Sequence, residues 1–176
     1  MGIFSNWFKR KPETEAVPAQ RGPAQEVLSN LAQPQRTIRY DQNLVDGLKK
    51  DHVELVHMYT QLGEDAQNAR FERIPDALLS FKTRLEAHLL AENLRFYVYL
   101  EQSLAGDADN VSLIRDFRQE MNRIARGVVE FVKRYQQQRV NGDSQAAFMR
   151  DYNEVGRLLT LRIEREENNL YPLYAP

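Results

Sequence analysis

The stretch that decides the fold runs from Ile74 to Leu104 and reads IPDALLSFKTRLEAHLLAENLRFYVYLEQSL. Mostly apolar residues recur in it every three or four positions, which is the period of one face of an α-helix. That face consists of Leu78, Phe81, Leu85, His88, Glu92, Arg95 or Phe96, and Tyr99. Pro75 is compatible with a helix because proline is tolerated in the first turn. The stretch therefore predicts one long helix.

Three other segments have the same period. Their predicted limits are Asp41 to Leu62, Asn110 or Val111 onward, and the segment that follows Asp143 and ends at Pro172, with Asp143 as a candidate N-cap. Short turns between successive helices make them antiparallel neighbours. We therefore predict an all-α fold, an up-down-up-down four-helix bundle that covers residues 41–176.

The first 40 residues differ in composition from the bundle. Residues 12–40 are rich in proline, glutamine and alanine, which predicts a flexible, disordered linker. Residues 1–11 combine apolar residues at helical spacing with a basic run, a pattern that suits the surface of an anionic membrane. The membrane-contact candidates are Ile3, Phe4, Trp7, Phe8, Lys9, Arg10 and Lys11. The alternatives are a disordered tail and a tail that docks on the bundle or on a partner.

Composition and charge exclude several classes of function. The chain has 176 residues, of which 24 are basic and 25 acidic, and this balance argues against nucleic acid as a partner. It contains no cysteine, which excludes disulfides and thiolate metal sites. We see neither a signal-peptide pattern nor an apolar run of about 20 residues, the length that spans a bilayer. We expect a cytoplasmic protein, with peripheral contact to the inner face of the membrane as a further hypothesis.

Five polar side chains interrupt the apolar faces of the helices. They are His52 on the first helix, His88 and Glu92 on the second, and Arg162 and Glu166 on the fourth. Burying any one of them alone is unfavourable by several kcal/mol. Antiparallel neighbours bring together residues that are equally distant from the turn between them, and this rule places all five at one level, beside Met121 of the third helix. We therefore predict one buried polar cluster.

Two interpretations of the polar cluster remain open. Residues four apart share a helix face, so His88 and Glu92 point to the same place, as do Arg162 and Glu166. Two carboxylates at one level repel each other unless a cation lies between them. In the first interpretation, the two histidines and the glutamates bind one metal ion, since two histidines and a carboxylate are typical of mononuclear non-heme iron. In the second, Arg162 replaces the metal and bridges the glutamates in a buried ion network.

The polar cluster also carries a family resemblance. His88-x-x-x-Glu92 and Arg162-x-x-x-Glu166, with His52 before them, resemble the hemerythrin-like (HHE cation-binding) family over nearly the whole bundle. That resemblance implies a four-helix bundle around a non-heme di-iron site. The ligands in the family are a histidine on the first helix, His-x-x-x-Glu on the second, histidines on the third and His-x-x-x-carboxylate on the fourth. The resemblance thus implies that the two histidines and both glutamates are metal ligands.

The chain departs from the family at two ligand positions. Met121 lies at or near the third-helix position, and Arg162 replaces the fourth-helix histidine. A guanidinium stays charged and does not bind metal. The resemblance therefore implies a reduced ligand set, with Arg162 compensating charge where a second metal would sit, and with one or two iron ions, or none if the cluster is an ion network. Met121 and Tyr99 are candidates for side chains that support the ligands from outside. Tyr97 also lies near Glu92, where core packing or the same supporting role is expected, whereas Tyr171 is expected to pack the end of the bundle.

Two functions follow as hypotheses. The first is a sensory or regulatory protein that binds non-heme iron or another divalent metal. The alternative is a metal-free, degenerate hemerythrin-like bundle that acts as a protein-interaction or membrane-associated regulatory module. The bundle length and fourth-helix pattern are also similar to a family of bundles that bind a bacterial sigma factor, which would be a protein partner. No phosphate-binding loop, dinucleotide fingerprint or catalytic triad is visible, so we predict that the protein is not an enzyme.

Overall fold

The computed structural model describes residues 38–176, and every regular element within them is helical. The α-helices are α1 (Leu44–Gln67), α2 (Ile74–Ala91), α3 (Tyr97–Ser103), α4 (Ala108–Gln137) and α5 (Gln145–Arg165). The remaining helical turns are two π turns, Glu92–Phe96 and Glu166–Leu170, and two 3-10 turns, Phe71–Arg73 and Tyr171–Leu173. Because the first π turn joins α2 to α3, the bundle consists of four long helices, as predicted.

The helices form a ring in which each has two main neighbours. Helix α1 packs against α2 and α5, and α4 packs against the same two helices. Successive helices are therefore adjacent and antiparallel, and the last returns to the first. This arrangement confirms the predicted up-down-up-down bundle.

Several helix boundaries differ from the prediction: α1 begins at Leu44 rather than Asp41, and α4 begins at Ala108 rather than at Asn110 or Val111. Helix α1 continues to Gln67 and ends where Ala69 adopts a positive φ of 56°, a conformation typical of helix C-termini. The fourth helix begins after Ser144 rather than after Asp143. The reason is the side chain of Asn141, whose Oδ1 accepts hydrogen bonds of 3.0 Å from the backbone N–H groups of both residues and extends the turn.

Apolar side chains form two separate core clusters along the bundle. One contains Phe81, Phe131 and Phe148 and lies towards the turn between α1 and α2. The other contains Phe96 and Phe117 and lies towards the turn between α3 and α4. The five predicted polar residues fall between these clusters on every helix that carries them, so each cluster closes one side of the polar centre.

The predicted N-terminal segment, 1–11, and most of the predicted linker lie outside the described residues. The last linker residues are described and pack on the bundle. The backbone N–H of Ile38 donates to Gln102 Oε1 at 3.1 Å, and the ring of Tyr40 stacks on that of Tyr174 with centroids 5.0 Å apart. No helix within residues 38–176 is long and apolar enough to cross a membrane.

Candidate metal centre

Five polar side chains meet in the middle of the bundle. His52 comes from α1, His88 from α2 and Arg162 from α5, while Glu92 and Glu166 begin the two π turns. None of them is more than 2 % exposed. The structure therefore brings together all the predicted ligands and the predicted charge-compensating arginine.

The two histidines point their Nε2 atoms at the same place. These nitrogens lie 3.2 Å apart. The opposite ring nitrogens face carboxylates: His52 Nδ1 lies 2.8 Å from Glu167 Oε1, and His88 Nδ1 lies 3.4 Å from Asp51 Oδ2. A carboxylate that accepts the Nδ1 proton fixes the tautomer and leaves Nε2 for a metal. Both histidines thus have the orientation and support of metal ligands.

Glu166 supplies a third donor at the same place. Its Oε2 lies 3.3 Å from His52 Nε2 and makes no hydrogen bond, although the residue is completely buried. Two atoms that bind one ion at about 2.1 Å lie about 3.0 Å apart at a right angle and about 3.4 Å apart at the tetrahedral angle. The spacings around His52 Nε2 lie in this range, and the donors of His52, His88 and Glu166 all lie within 4.8 Å of one another. These residues therefore fit one metal ion.

Glu92 approaches the centre from the second helix of the bundle. Its Oε1 accepts a hydrogen bond of 3.0 Å from the Tyr171 hydroxyl. Its Oε2 has no hydrogen-bond partner and lies 3.8 Å from His88 Nε2, farther than adjacent ligands of one ion. Glu92 therefore stays a predicted ligand, with one unpaired buried oxygen beside the site.

Arg162 places a buried positive charge inside the centre. Its Nε donates to Glu166 Oε1 and its Nη2 donates to the Tyr97 hydroxyl, both at 2.7 Å. Its guanidinium lies 4.6 Å from the centroid of the Phe117 ring, and its Nη1 is 3.6 Å from Glu120 Oε2 without a hydrogen bond. A guanidinium keeps its charge and repels cations, so Arg162 opposes binding of an ion beside it.

The two π turns repeat one pattern in two helices of the bundle. The motifs are His88-x-x-x-Glu92-x-x-x-x-Tyr97 and Arg162-x-x-x-Glu166-x-x-x-x-Tyr171. In both motifs, the backbone N–H of the tyrosine donates a hydrogen bond to the backbone carbonyl of the glutamate five residues earlier. This wider turn brings the side chains of the glutamate and the tyrosine towards one face of the helix. Each tyrosine then contacts the other motif, since one accepts from the arginine and the other donates to Glu92. A histidine of one motif is thus matched by an arginine in the other.

Burial and neighbouring charges shift the pKa values of the centre in different directions. Burial opposes protonation of His52, but Glu166 and Glu167 outweigh it and raise the pKa of His52. Burial, followed by the charge of His52, lowers the pKa of His88. Burial, followed by the charge of Glu166, raises the pKa of Glu92 well above its usual range. The neighbouring carboxylates thus favour the protonated form of His52, whereas the surroundings of His88 favour its neutral form.

A cavity of about 250 Å³ leads to the centre between α1 and α5. Its inner end is lined by the two histidines, Arg162 and Glu166, and its walls are largely apolar. Its rim includes the exposed residues Val56, Thr60, Asn153, Arg157 and Thr160. A small molecule can thus reach the polar centre from the surface without passing through either core cluster.

The two predicted supporting residues lie in different places. Met121 lines the cavity beside the histidines and belongs to the core cluster of Phe81. Tyr99 belongs to the other cluster, where it contacts Tyr174 and donates a hydrogen bond to the backbone carbonyl of Ala175. The side chains that contact the histidine ligands from outside are instead Asp51 and Glu167.

Sequence reasoning missed three residues of the centre, namely Asp51, Glu167 and Tyr171, and it placed Tyr97 near Glu92 without its contact to Arg162. The two acids directly precede or follow a predicted ligand in sequence, and this adjacency is the signal that could have identified them. The two tyrosines share the spacing Glu-x-x-x-x-Tyr. Tyr171 does contact Phe96 at 5.1 Å, as expected for packing, but its hydroxyl reaches the polar centre.

Fold and site together define a class of protein, namely a four-helix bundle whose buried histidines and carboxylate can hold one metal ion. The family model of the Hemerythrin HHE cation binding domain matches residues 43–174. The chain therefore belongs to the hemerythrin HHE cation-binding family, as its motifs indicated. No curated protein and no solved structure shows significant similarity to it.

Proposed function

We propose that this protein binds one iron ion, or another divalent metal ion, and is a sensory or regulatory protein rather than an enzyme. His52, His88 and Glu166 would hold the ion, with Glu92 as a fourth ligand. One observation carries the proposal: two Nε2 atoms and an unpaired carboxylate oxygen converge while carboxylates hold both Nδ1 atoms. Two histidines and a carboxylate are the ligand types of mononuclear non-heme iron.

Each side chain has a distinct role in this proposal. Asp51 and Glu167 orient the imidazoles and increase their basicity. Arg162 neutralises Glu166 through Oε1 and leaves Oε2 available to the ion. The apolar clusters on both sides exclude water and strengthen these charge interactions. A bound iron ion would supply a redox-active centre with room for an exogenous small molecule.

The cavity supports a sensory role. It connects the surface to the centre, and its inner end is lined by His52, His88 and Glu166. A molecule that enters it would meet the site directly and could change the packing of α1 against α5. Such a change would be the signal that the protein passes to a partner.

Metal content tests the proposed function. The full chain is purified anaerobically without a histidine tag, loaded with iron(II) and analysed for iron. His88→Ala should lose the iron while its helical circular dichroism is unchanged. His57→Ala is the matched control, because His57 is an exposed histidine on α1. Equal iron in unaltered protein and His88→Ala would show that the site is assigned wrongly.

A second function is favoured by the contacts of Arg162. Its bond to Glu166 provides a buried positive charge at the centre without any metal. The bundle would then be a metal-free module that binds a protein partner or a membrane. Failure of the unaltered protein to take up iron would support this alternative, and increased metal uptake by Arg162→Ala would contradict it.

We further propose a cytoplasmic location, no nucleic-acid partner and weak contact with a membrane surface through residues 1–11. The support is the balance of 24 basic and 25 acidic residues and the aromatic and basic composition of that segment. Co-sedimentation with anionic liposomes, compared between the full chain and a chain that lacks residues 1–11, tests the membrane contact. Equal sedimentation of both forms would remove it.

A further inference from the structure

We propose that Tyr171 is an additional ligand of the metal ion through its phenolic oxygen, an inference that rests on the proposed function. The Tyr171 hydroxyl lies 3.2 Å from His52 Nε2. Around that same nitrogen, His88 Nε2 lies at 3.2 Å and Glu166 Oε2 at 3.3 Å. The phenol thus stands at the same spacing as the two donors already assigned to the ion.

This spacing is the one that neighbouring ligands of one ion require. Ligand atoms at about 2.1 Å from an ion lie about 3.0 to 3.4 Å apart when they are adjacent. The phenol is held in place by packing, because its ring is stacked on the His52 ring at an interplanar angle of 10° and meets the Phe96 ring edge-on at 68°. At 3 % exposure Tyr171 is screened from solvent, so its hydroxyl is committed to the polar centre.

Binding requires the phenol to lose its proton, and because burial and the charges of Glu92 and Glu166 raise the pKa of Tyr171, the charge of the ion must drive that loss. The phenol hydroxyl donates to Glu92 Oε1 at 3.0 Å, so a carboxylate is already in place to accept that proton. Tyrosine is an established iron ligand in other proteins. An additional anionic donor beside Glu166 and Glu92 would favour iron(III) over iron(II), which makes Tyr171 a residue that sets the redox preference of the site.

Tyr97 provides a matched control within the same chain. It occupies the equivalent position after the other π turn, and it is equally buried, at 1 % exposure. Its hydroxyl accepts a hydrogen bond from Arg162 Nη2 at 2.7 Å rather than facing a histidine. Tyr97→Phe therefore removes a buried hydroxyl near the centre without removing a proposed ligand.

Optical and resonance Raman spectra of the iron(III)-loaded full chain test the assignment. The protein is loaded with iron(II) anaerobically and then oxidised, and iron per chain is measured on the same sample. The unaltered protein should show a visible phenolate-to-iron(III) charge-transfer band with enhanced phenolate ring vibrations. The band should be lost in Tyr171→Phe and retained in Tyr97→Phe. Ring-deuterated tyrosine in the unaltered protein should shift the enhanced vibrations, which keeps the test valid if Tyr171→Phe does not fold.

The possible results separate this inference from the proposed function. Iron bound to the unaltered protein without a phenolate band, or with a band that survives Tyr171→Phe, would overturn Tyr171 as a ligand and leave iron binding intact. Absence of bound iron in the unaltered protein would overturn both.

Discussion

Replacing Arg162 with methionine tests how the buried charges of the centre are balanced. The change removes the guanidinium but keeps an apolar stem that can still pack against the Phe117 ring. In metal-free protein it leaves Glu166 without its hydrogen bond from Nε and Tyr97 without its hydrogen bond from Nη2, both of 2.7 Å. We expect a large loss of stability, because the Glu166 carboxylate stays buried and its negative charge no longer has a positive partner.

The structure sets the expected size of this effect. Arg162 is 1 % exposed and Glu166 is 0 % exposed, so solvent screens neither charge. Removing one partner of such a buried pair lowers the free energy of unfolding by about 3–5 kcal/mol. This is a large part of the about 5–15 kcal/mol that stabilises a typical domain. A metal ion would replace the lost positive charge. At a free concentration of 100 times its Kd, it would raise the free energy of unfolding by about 2.7 kcal/mol.

Urea unfolding followed by circular dichroism measures the effect, first with a chelator and then with metal. Arg165→Met is the control, since Arg165 also lies over the Phe117 ring, at 5.0 Å, and pairs with Glu120, but its side chain is 41 % exposed. The control should lose only about 0–1 kcal/mol, the usual value for an exposed ion pair. A loss below about 1 kcal/mol in Arg162→Met as well would refute the buried charge balance.

Two further variants test the support of the histidines and the packing of the cavity wall. Asp51→Asn weakens the interaction of the Asp51 carboxylate with His88 Nδ1 and should lower metal affinity, measured by calorimetric titration, about 10- to 100-fold. Glu54→Gln is the control, because Glu54 also pairs with Arg84, and it should leave metal affinity unchanged. Gly156→Ala places a Cβ 2.9 Å from the Tyr59 ring and should lower the free energy of unfolding by about 1–3 kcal/mol. Gly47→Ala on α1 meets nothing within 4 Å and should raise the free energy of unfolding by about 0.5–1 kcal/mol, so a loss there would contradict this packing argument.

The helices and the level of the site could be predicted because both follow local rules. The helical period identifies the buried face, and the reflection of antiparallel neighbours through their turns identifies which residues meet. His52 and His88 are 36 residues apart in sequence, yet their Nε2 atoms lie 3.2 Å apart, as that reflection requires. Arg162 and Glu166 follow the same rule on the fourth helix.

The contacts of Tyr97 with Arg162 and of Tyr171 with Glu92 could not be predicted because they depend on π turns. In a regular α-helix, a residue five positions after a glutamate lies on a different side of the helix. Only the wider turn brings the two side chains together, and a single sequence has no local signal for it. Asp51 and Glu167 were missed for a related reason, since the helical period assigns the neighbours of buried residues to the solvent face, whereas these half-buried acids reach inwards to Nδ1.

The number of metal ions per chain is the most direct test of a centre built for one ion. Full-length protein without a tag is titrated anaerobically with iron(II), and bound metal is quantified against protein after removal of the excess. The expected result is one ion per chain, because His52, His88 and Glu166 converge on one place and Arg162 blocks a second. Two ions would show that Arg162 does not exclude a second ion, and none would show that the converging donors form an ion network instead.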